Sequence, residues 1–261
     1  MGILNVTPDS FSDGGLFNRL DDALRRAEQM VAQGAGILDV GGETTRPGAQ
    51  AVGEQEEIER VAPVIEAIST RIGIPLSIDT SKPGVMRAAV GAGASLINDV
   101  NALRADGAIE AASALGVPVC LMHMQGEPRT MQHAPRYTDV VSEVRDFLVA
   151  RAAACMAAGV AREDIWIDPG FGFGKTLQHN LQLLRGLPLL AQTGFPVLAG
   201  MSRKSMLGAV TGRAVGERLA GSLAVALLAL QRGALILRVH DVAETRDVLQ
   251  VWAADAALAD G

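Results

Sequence analysis

The chain has 261 residues and a formal net charge of −6, with 49% hydrophobic and 3% aromatic residues. This length fits either one barrel-sized domain or two small domains. The acidic balance argues against nucleic-acid binding, which needs a basic face for phosphate, but it is compatible with a local pocket for a small anion. No apolar run approaches membrane-spanning length and no signal peptide follows Met1, so we expect a soluble cytoplasmic protein with no membrane partner.

Short apolar segments alternate with longer segments of helical period along the chain. The predicted strands are Gly2–Val6, Ile37–Val40, Leu76–Ile78, Leu96–Asn98, Val119–Met122, Ile165–Ile167, Val197–Ala199 and Ile236–Val239. The predicted helices are Asp21–Gln33, Glu54–Thr70, Lys82–Ala92, Gly107–Leu115, Tyr137–Ala158, Leu177–Leu190, Gly216–Gln231 and Val242–Ala257. The alternation predicts an α/β fold with parallel strands.

The number of strand–helix units favours a closed barrel. Eight units in this length are typical of a (β/α)8 TIM barrel, whose common size is roughly 250 residues. An open doubly wound sheet is the alternative, but no Gly-x-Gly-x-x-Gly motif opens the first helix. No linker or composition shift divides the chain, so we predict a single barrel domain over residues 1–261.

Polar residues follow every predicted strand, at the point where the strand gives way to the next helix. The segments are Asn5, Gly41–Ala49, Asp79–Pro83, Asn98–Val100, Met122–Met124, Asp168–Lys175, Gly200–Ser205 and Arg238–Asp241. A single Asp or Ser there is often only a helix cap, but caps do not explain polar residues at all eight ends. In a barrel these ends share one face, where active sites are found, so Asp79, Asn98 and Asp168 should converge.

Other residues raise narrower expectations. Aromatic side chains are scarce, yet Phe11, Phe171 and Phe173 lie in Gly-rich segments, which predicts stacking surfaces away from the core. The segment ending at Lys175 is one residue short of a nucleotide-binding P-loop, and an ordinary turn with a solvated lysine is the alternative. The two cysteines lie in apolar surroundings, which predicts small buried thiols in a reducing compartment.

The polar segments resemble the dihydropteroate synthase family of pterin-binding barrels. The resemblance spans nearly the whole chain, with every motif in family order and at a predicted strand end. The segments that carry it are Asn5–Gly15, Gly41–Ala49, Asp79–Pro83, Ile97–Asp99, Asp168–Lys175, Ser202–Ser205 and Arg238–His240. The family fold is a (β/α)8 barrel, in agreement with the count of strands and helices.

The resemblance implies a transferase reaction in folate biosynthesis. In it, 6-hydroxymethyl-7,8-dihydropterin diphosphate condenses with p-aminobenzoate to give 7,8-dihydropteroate and pyrophosphate, and sulfonamides compete for the p-aminobenzoate pocket. No covalent nucleophile suggests itself, because neither cysteine stands at a strand end and the arylamine can attack directly. We therefore expect catalysis to depend on holding the substrates and on stabilising the leaving pyrophosphate.

The resemblance also implies roles for single residues by their motif positions. The pterin ring would be held by side chains at several strand ends, namely Asp79, Asn98, Met122, Asp168 and Lys204. The diphosphate would meet the ends of strands two and eight, at Thr45, Arg238, Val239 and His240. The ring of p-aminobenzoate would lie in a pocket formed by Phe11, Pro47, Phe173 and Lys204. Its carboxylate would be bound by Ser202 and by the amide groups at the start of the following helix.

Charge stabilisation is the implied basis of catalysis. The residues expected to supply it are Asp168, Lys204, Arg238 and His240. A Mg²⁺ cofactor is implied as well, bound by Asn5, the diphosphate and water, because magnesium favours oxygen ligands and keeps several waters. The loops Asp9–Asn18 and Thr45–Gly53 are rich in Gly and small polar residues, so we expect them to close over the bound diphosphate.

Several alternatives are open at this point. The segment 216–228 is apolar nearly all round, which predicts either a tightly wedged outer helix or the homodimer interface that the resemblance implies. The chain begins directly in strand one, so we expect a trimmed or re-started first segment. Rival functions are a corrinoid-dependent methyltetrahydrofolate methyltransferase and a catalytically silent pterin-binding relative. The first would not need Lys204 and Arg238 at a diphosphate, and the second would be expected to have lost them.

Overall fold

The computed structural model describes residues 1–7, 16–44, 52–127 and 130–259. Within these ranges the strands are β1 (Gly2–Asn5), β2 (Leu38–Gly41), β3 (Leu76–Asp79), β4 (Leu96–Asp99), β5 (Val119–Met122), β6 (Ile165–Asp168), β7 (Leu198–Ala199) and β8 (Ile236–Leu237). All strand pairs are parallel, and β1 to β6 form one sheet in chain order while β7 pairs with β8.

Single bridges join the two sheets into a ring. Ile167 of β6 pairs with Val197, just before β7, and Gly2 of β1 pairs with Val239, just after β8. At the second seam, the amide of Ile3 donates to the carbonyl of Val239 over 3.0 Å, and the Val239 amide donates to the Met1 carbonyl over 2.9 Å. The strands therefore close on themselves, which confirms the predicted (β/α)8 barrel.

Ten helices cover the outside of the barrel within the described ranges. They are α1 (Leu16–Ala32), α2 (Glu54–Arg71), α3 (Pro83–Gly91), α4 (Ala108–Leu115), α5 (Val140–Ala157), α6 (Leu177–Arg185), α7 (Leu187–Ala191), α8 (Ser205–Thr211), α9 (Leu219–Leu230) and α10 (Val242–Ala259). Single turns of 3₁₀ helix lie at Arg162–Asp164 and Val215–Glu217. No described helix has the length and apolar character needed to cross a membrane.

Two helix predictions need correction. The predicted helix Leu177–Leu190 is two helices, α6 and α7, separated at Gly186. A side chain at Gly186 would overlap Val141 of α5, and Pro188 starts a new helix well because its fixed φ suits the first turn. The short helix α8 was not predicted, because its seven residues fall below the length at which helical periodicity is readable.

The strands separate apolar and polar side chains between the two faces of the barrel wall. In β2, Leu38 and Val40 are fully buried in the hydrophobic core that packs under the helices. Asp39 lies between them and contacts residues from β4 and the end of β8, which are not its neighbours in the sheet, so its side chain points to the barrel interior. In β2 the period of two thus directs Asp39 to the inside, while Leu38 and Val40 face the helices.

The loop after β6 is tied to the rest of the barrel by Lys175. Its Nζ lies 2.9 Å from the carbonyl oxygen of Gly170, 3.0 Å from that of Phe173 and 3.0 Å from Nδ1 of His123. Lys175 is buried, so the solvated side chain considered from the sequence is wrong. Phe171 is also wholly buried in the core, so the stacking surface predicted for it is wrong.

The backbone conformation at Gly170 allows a test of how closely this loop is packed. Gly170 has a φ of +67°, and a Cβ there would overlap the carbonyl oxygen of His123, whereas Gly212 has a φ of +70° and open space around it. Gly212→Ala should cost about 1–2 kcal/mol, the usual penalty of a left-handed L-residue. Gly170→Ala should cost about 1–3 kcal/mol more, because the overlap adds to the same backbone strain.

Urea unfolding of the two variants measures both losses. The wild-type protein gives the reference, and an unchanged m-value shows that the same surface unfolds in all three proteins. Equal losses of stability in the two variants would contradict the close packing of Gly170 against His123.

Candidate active site

Strand register places three predicted site residues side by side. Asn5 pairs with Gly41, Gly41 with Asp79, and Asp79 with Asn98, so these positions lie at one level on four adjacent strands. Gly41 has no side chain between them, and a Cβ there would lie at ordinary contact distance, 3.8 Å from Oδ1 of Asn5 and 3.6 Å from Cβ of Asp79. The carboxyl ends of the strands, called the mouth of the barrel below, therefore hold these polar groups together.

Arg238 connects the end of β8 to two carboxylates across the barrel interior. Its Nε donates to Oδ2 of Asp39 over 2.6 Å, and its Nη2 donates to Oδ2 of Asp79 over 2.7 Å. Nδ2 of Asn98 donates to the same oxygen of Asp39 over 3.2 Å. Three predicted site residues thus share one hydrogen-bonded network.

The buried carboxylate of Asp39 was missed by the sequence analysis. The residue has no exposed surface, and its Oδ1 has no hydrogen-bond partner among the described residues. The available signal was a lone acidic residue inside the apolar segment from Leu38 to Val40. A charge in such a position is rarely tolerated unless it is paired, so the residue could have been singled out.

Burial and neighbouring charges change the ionisation of this network. Burial raises the pKa of Asp79 to about 7, a change that the Arg238 guanidinium opposes and the Asp39 carboxylate reinforces. Burial disfavours the charged form of Arg238, but Asp39 and Asp79 more than compensate and raise its pKa further. Arg238 therefore stays charged, while Asp79 changes its protonation near neutral pH.

Asp168 and Lys204 lie close enough in the mouth to influence each other's ionisation. Burial raises the pKa of Asp168, while the nearby Lys204 opposes that change, and Oδ1 of Asp168 accepts from the Gly170 amide over 2.7 Å. Burial lowers the pKa of Lys204 to about 8, although Asp168 opposes this effect. Nζ of Lys204 donates to the Phe171 carbonyl and lies 4.7 Å from the ring centroid of Phe173.

An apolar wall stands beside these charges. Met122, Met124 and Met131 form a buried cluster, and Phe173 packs partly exposed against it. Met122 pairs with Asp168 in the ladder between β5 and β6, so the wall begins next to the carboxylate. The wall offers a flat ring an apolar face beside hydrogen-bonding groups, and the predicted contact of Met122 with the pterin stays a prediction.

Ser202 and His240 lie together at the ends of β7 and β8. Oγ of Ser202 lies 3.1 Å from Nδ1 of His240 and accepts from the His240 amide over 3.2 Å. Helix α8 begins at Ser205, so the amide groups at its start belong to Ser205 and Met206 rather than to Ser202. The structure thus places the Ser202 hydroxyl on His240, and its predicted contact with the p-aminobenzoate carboxylate stays a prediction.

The remaining predicted residues have different positions. Val239 uses its amide and carbonyl groups to close the barrel against β1, and its side chain is buried, so nothing in the geometry supports its predicted substrate contact. Phe11, Thr45 and Pro47 lie outside the described residues. Their roles, like the expected closure of both loops, stay predictions.

The two described edges of the second loop are held together. Oε1 of Glu43 accepts from the Val52 amide over 3.1 Å, which joins the residues on either side of the undescribed segment. Lys82 forms ion pairs with Glu43 and with the buried Glu57 of α2. Burial lowers the pKa of Lys82, but its hydrogen bonds to these two carboxylates outweigh burial and give a net rise.

The described residues of the mouth offer few ligands to a metal ion. Among the described ranges, no three His, Cys, Asp or Glu side chains are grouped so that they could hold a metal. Asn5 offers one amide oxygen at the mouth, within 3.8 Å of the point where a Gly41 Cβ would stand. This donor set suits Mg²⁺, which binds oxygen and often takes most ligands from a substrate phosphate and water.

The chemistry of the mouth follows from these groups. Carboxylates and an amide can accept and donate at a polar ring, and the Arg238 guanidinium suits phosphate oxygens. Cys120 and Cys155 are free and buried, and burial raises the pKa of each, so neither supplies a thiolate nucleophile. The site therefore binds and orients charged substrates rather than forming a covalent intermediate with cysteine.

Comparisons with known proteins identify the family to which the chain belongs. A profile of the pterin-binding enzyme family matches residues 1–240. A dihydropteroate synthase from Haemophilus influenzae is 56% identical over 256 residues, covering 98% of this chain and 93% of that relative. The dihydropteroate synthase of Escherichia coli strain K12 is 54% identical over 251 residues, covering 96% of this chain and 89% of that relative.

Solved structures of high similarity include enzyme complexes. The Yersinia pestis dihydropteroate synthase with a sulfonamide drug complex aligns with a TM-score of 0.93 at 50% identity, over 99% of this chain and 93% of that one. The Xanthomonas albilineans dihydropteroate synthase with 4-aminobenzoic acid aligns with a TM-score of 0.93 at 55% identity, over 98% of this chain and 92% of that one. The same enzyme in complex with 7,8-dihydropteroate aligns with a TM-score of 0.90 at 53% identity, over 98% of this chain and 93% of that one. The chain belongs to the dihydropteroate synthase family, whose members are pterin-binding transferases of folate biosynthesis.

Proposed function

We propose that this chain condenses 6-hydroxymethyl-7,8-dihydropterin diphosphate with p-aminobenzoate, giving 7,8-dihydropteroate and pyrophosphate, and that sulfonamides compete with p-aminobenzoate. The observation that carries the proposal is the convergence of Asp79, Asn98, Asp168 and Arg238 in one barrel mouth. Similar structures that hold 4-aminobenzoic acid, 7,8-dihydropteroate and a sulfonamide support it. The pyrophosphate product distinguishes this reaction from the methyltransferase alternative.

The pterin ring fits the deep part of the mouth. Asp79 and Asp168 would accept hydrogen bonds from its amino and ring N–H groups, and Asn98 would complete the set. Lys204 would donate to the ring carbonyl, because its ammonium has three N–H donors and the Phe171 carbonyl accepts from one of them. Met122 belongs to the buried methionine cluster and would pack against the ring face.

The diphosphate fits the outer end of the same mouth. Arg238 keeps its charge between two carboxylates, and His240 is positioned by the Ser202 hydroxyl next to it. Thr45 would add a hydrogen bond from the second loop. Asn5 would hold Mg²⁺ together with the diphosphate, and the bound ion would neutralise charge on the leaving group.

The p-aminobenzoate would lie between Phe173 and the second loop. The Lys204 ammonium lies over the Phe173 ring, so both can face the same aromatic substrate. Pro47 and Phe11 would close the pocket from the two loops. Its carboxylate would meet Ser202 or the amide groups at the start of α8, which suit an anion.

The residues support a substitution at the pterin methylene carbon. The amine nitrogen of p-aminobenzoate forms the new C–N bond as the C–O bond to the diphosphate breaks, and the amine then loses a proton to water. Arg238 and His240 stabilise the departing charge. The Asp168 carboxylate stabilises positive charge that develops on the pterin as the leaving group departs.

Assembly and location complete the proposal. Helix α9 buries one face, including Val225 and Ala229, while Leu219 stays 37% exposed on another, so we propose that this helix contributes to a homodimer. The two buried free thiols are compatible with a reducing compartment, and we propose a cytoplasmic location.

The direct test is an assay of pyrophosphate release. The protein is mixed with pterin diphosphate, Mg²⁺ and p-aminobenzoate, and both pyrophosphate and dihydropteroate are measured. We expect stoichiometric formation of the two products, with little pyrophosphate when p-aminobenzoate is omitted and inhibition by a sulfonamide that p-aminobenzoate relieves. Release that does not depend on p-aminobenzoate would contradict the proposed reaction.

The role of Asp168 can be separated from binding. Asp168→Asn keeps the shape but removes the charge, so we expect kcat to fall about 100-fold, a typical loss for one electrostatic contact in a transition state. The dissociation constant of pterin diphosphate should change much less. Single-turnover kinetics and calorimetry measure the two quantities.

Asp139→Asn is the matched control for this substitution. Asp139 is an exposed cap of α5, and Asn caps a helix as well as Asp does, so kcat should not change. Equal losses of turnover and affinity in Asp168→Asn would contradict a role in stabilising the transition state.

The raised pKa of Asp79 predicts a pH dependence of pterin binding. The ionised Asp79 carboxylate accepts hydrogen bonds from the pterin, so the affinity for the pterin should be highest above the Asp79 pKa of about 7. Below that pH the affinity should fall by up to tenfold per pH unit. Calorimetry with 6-hydroxymethylpterin, which carries no phosphate, avoids titration of the diphosphate. Asp79→Asn should bind more weakly and lose this dependence, whereas an unchanged titration in the variant would assign it to another group.

A further inference from the structure

Asp39 is an acidic side chain that packing alone does not require. It lies in the middle of β2 with no exposed surface, between Leu38 and Val40. Its Oδ2 accepts from both Arg238 and Asn98, while its Oδ1 has no partner in the part of the chain that the structure describes. Burying a carboxylate with one unsatisfied oxygen is costly, and such groups occur mainly where a site needs them.

The contact with Asp39 fixes the orientation of Arg238. A guanidinium presents its N–H groups in one rigid plane. Nε is held by Asp39 on β2 and Nη2 by Asp79 on β3, so two strands define that plane. Nη1 has no hydrogen-bond partner among the described residues, so this nitrogen is available to a ligand.

The same carboxylate fixes the orientation of the Asn98 amide. An ionised carboxylate can only accept, so the Asn98 group that faces Asp39 must be the NH₂ group. The Asn98 carbonyl oxygen then points away from Asp39. Because Asn98 lies beside Asp79 in the ladder, that oxygen can serve as an acceptor at the mouth.

We propose that Asp39 is a positioning residue, which holds Arg238 by Nε and sets the amide of Asn98. In this arrangement one arginine nitrogen meets the diphosphate and one amide oxygen meets an N–H group of the pterin. Asp39 itself touches neither substrate and acts through these two side chains. This inference rests on the proposed function.

The test compares Asp39→Asn with wild type. Asparagine has the same shape, but it lacks the charge that holds Arg238. We expect kcat to fall about 100-fold, the usual cost of a small misplacement of a reacting group, while KM for p-aminobenzoate changes less than about threefold.

A pH profile separates positioning from a purely structural role. The charged groups that act on Asp79 include Arg238, Asp39, Glu57 from α2, Asp99 from β4 and Lys204 after β7, and of the three acids Asp39 raises the Asp79 pKa most. Pterin binding in Asp39→Asn should therefore titrate at a lower pH than in wild type. An unchanged kcat together with an unchanged pH profile would overturn the proposal.

Ser77→Ala is the matched control. Ser77 is the register partner of Asp39 on β3, is fully buried and likewise has no partner for its hydroxyl among the described residues. The substitution changes a buried polar group at the same level without touching the network. It should leave kcat and the pH profile unchanged, and losses equal to those of Asp39→Asn would overturn a specific role for Asp39.

A double-substitution cycle tests whether Asp39 acts through Arg238. In Arg238→Met, the carboxylate of Asp39 is left without its charged partner. Adding Asp39→Asn to that variant should lower kcat much less than it does in wild type, because only the route through Asn98 is left, and should raise the melting temperature. If the fold-losses of kcat in the two single variants multiply in the double variant, the two residues act independently and the proposed route through Arg238 is overturned.

The wild-type complex provides an answer if Asp39→Asn does not fold. In a crystal structure with pterin diphosphate, we expect Nε of Arg238 to stay within hydrogen-bond distance of Asp39 while a terminal nitrogen contacts the diphosphate. Departure of Arg238 from Asp39 overturns the proposal. Failure of the proposed function is distinguishable, because the wild-type protein itself would then release no pyrophosphate.

Discussion

The organisation of the mouth depends on Arg238 reaching across the barrel interior to Asp39 and Asp79. The Arg238 side chain is 20% exposed while Asp39 is fully buried, so losing one partner should cost less than the roughly 3–5 kcal/mol typical of a fully buried ion pair. The two carboxylates tie β8 to β2 and β3. The guanidinium in turn limits the rise in the Asp79 pKa, so that Asp79 titrates near neutral pH.

The apolar part of the mouth is organised in a different way. Lys175 donates to main-chain carbonyl groups of its own loop and contacts His123 after β5, so hydrogen bonds as well as the buried Phe171 side chain hold the loop after β6. That loop carries the Phe171 carbonyl and the Phe173 ring, both of which contact Lys204. The geometry of Lys204 thus depends on a second lysine that lies outside the proposed substrate contacts.

Much of the fold could be predicted from the sequence, because apolar strands and amphipathic helices alternate regularly and the polar ends of parallel strands must share one face. Asp39 could not be assigned a role that way. Its partner Arg238 is 199 positions away, and only strand register shows that they meet. Lys175 was misjudged because a long side chain can be buried when main-chain carbonyls surround its ammonium. The contact of the Ser202 hydroxyl with His240 could not be predicted from the sequence, because it depends on the meeting of β7 and β8.

The seam between β1 and β8 has a consequence for biosynthesis. Asn5 lies on the first strand, whereas Arg238 and His240 follow the last, and the bridge between Gly2 and Val239 brings these distant parts of the chain together. A nascent polypeptide emerging from the ribosome therefore holds only half of the proposed phosphate-binding groups until translation has passed the final strand. The complete phosphate-binding group can therefore form only after the final strand has been made, because its members come from the first and the last strands of the barrel.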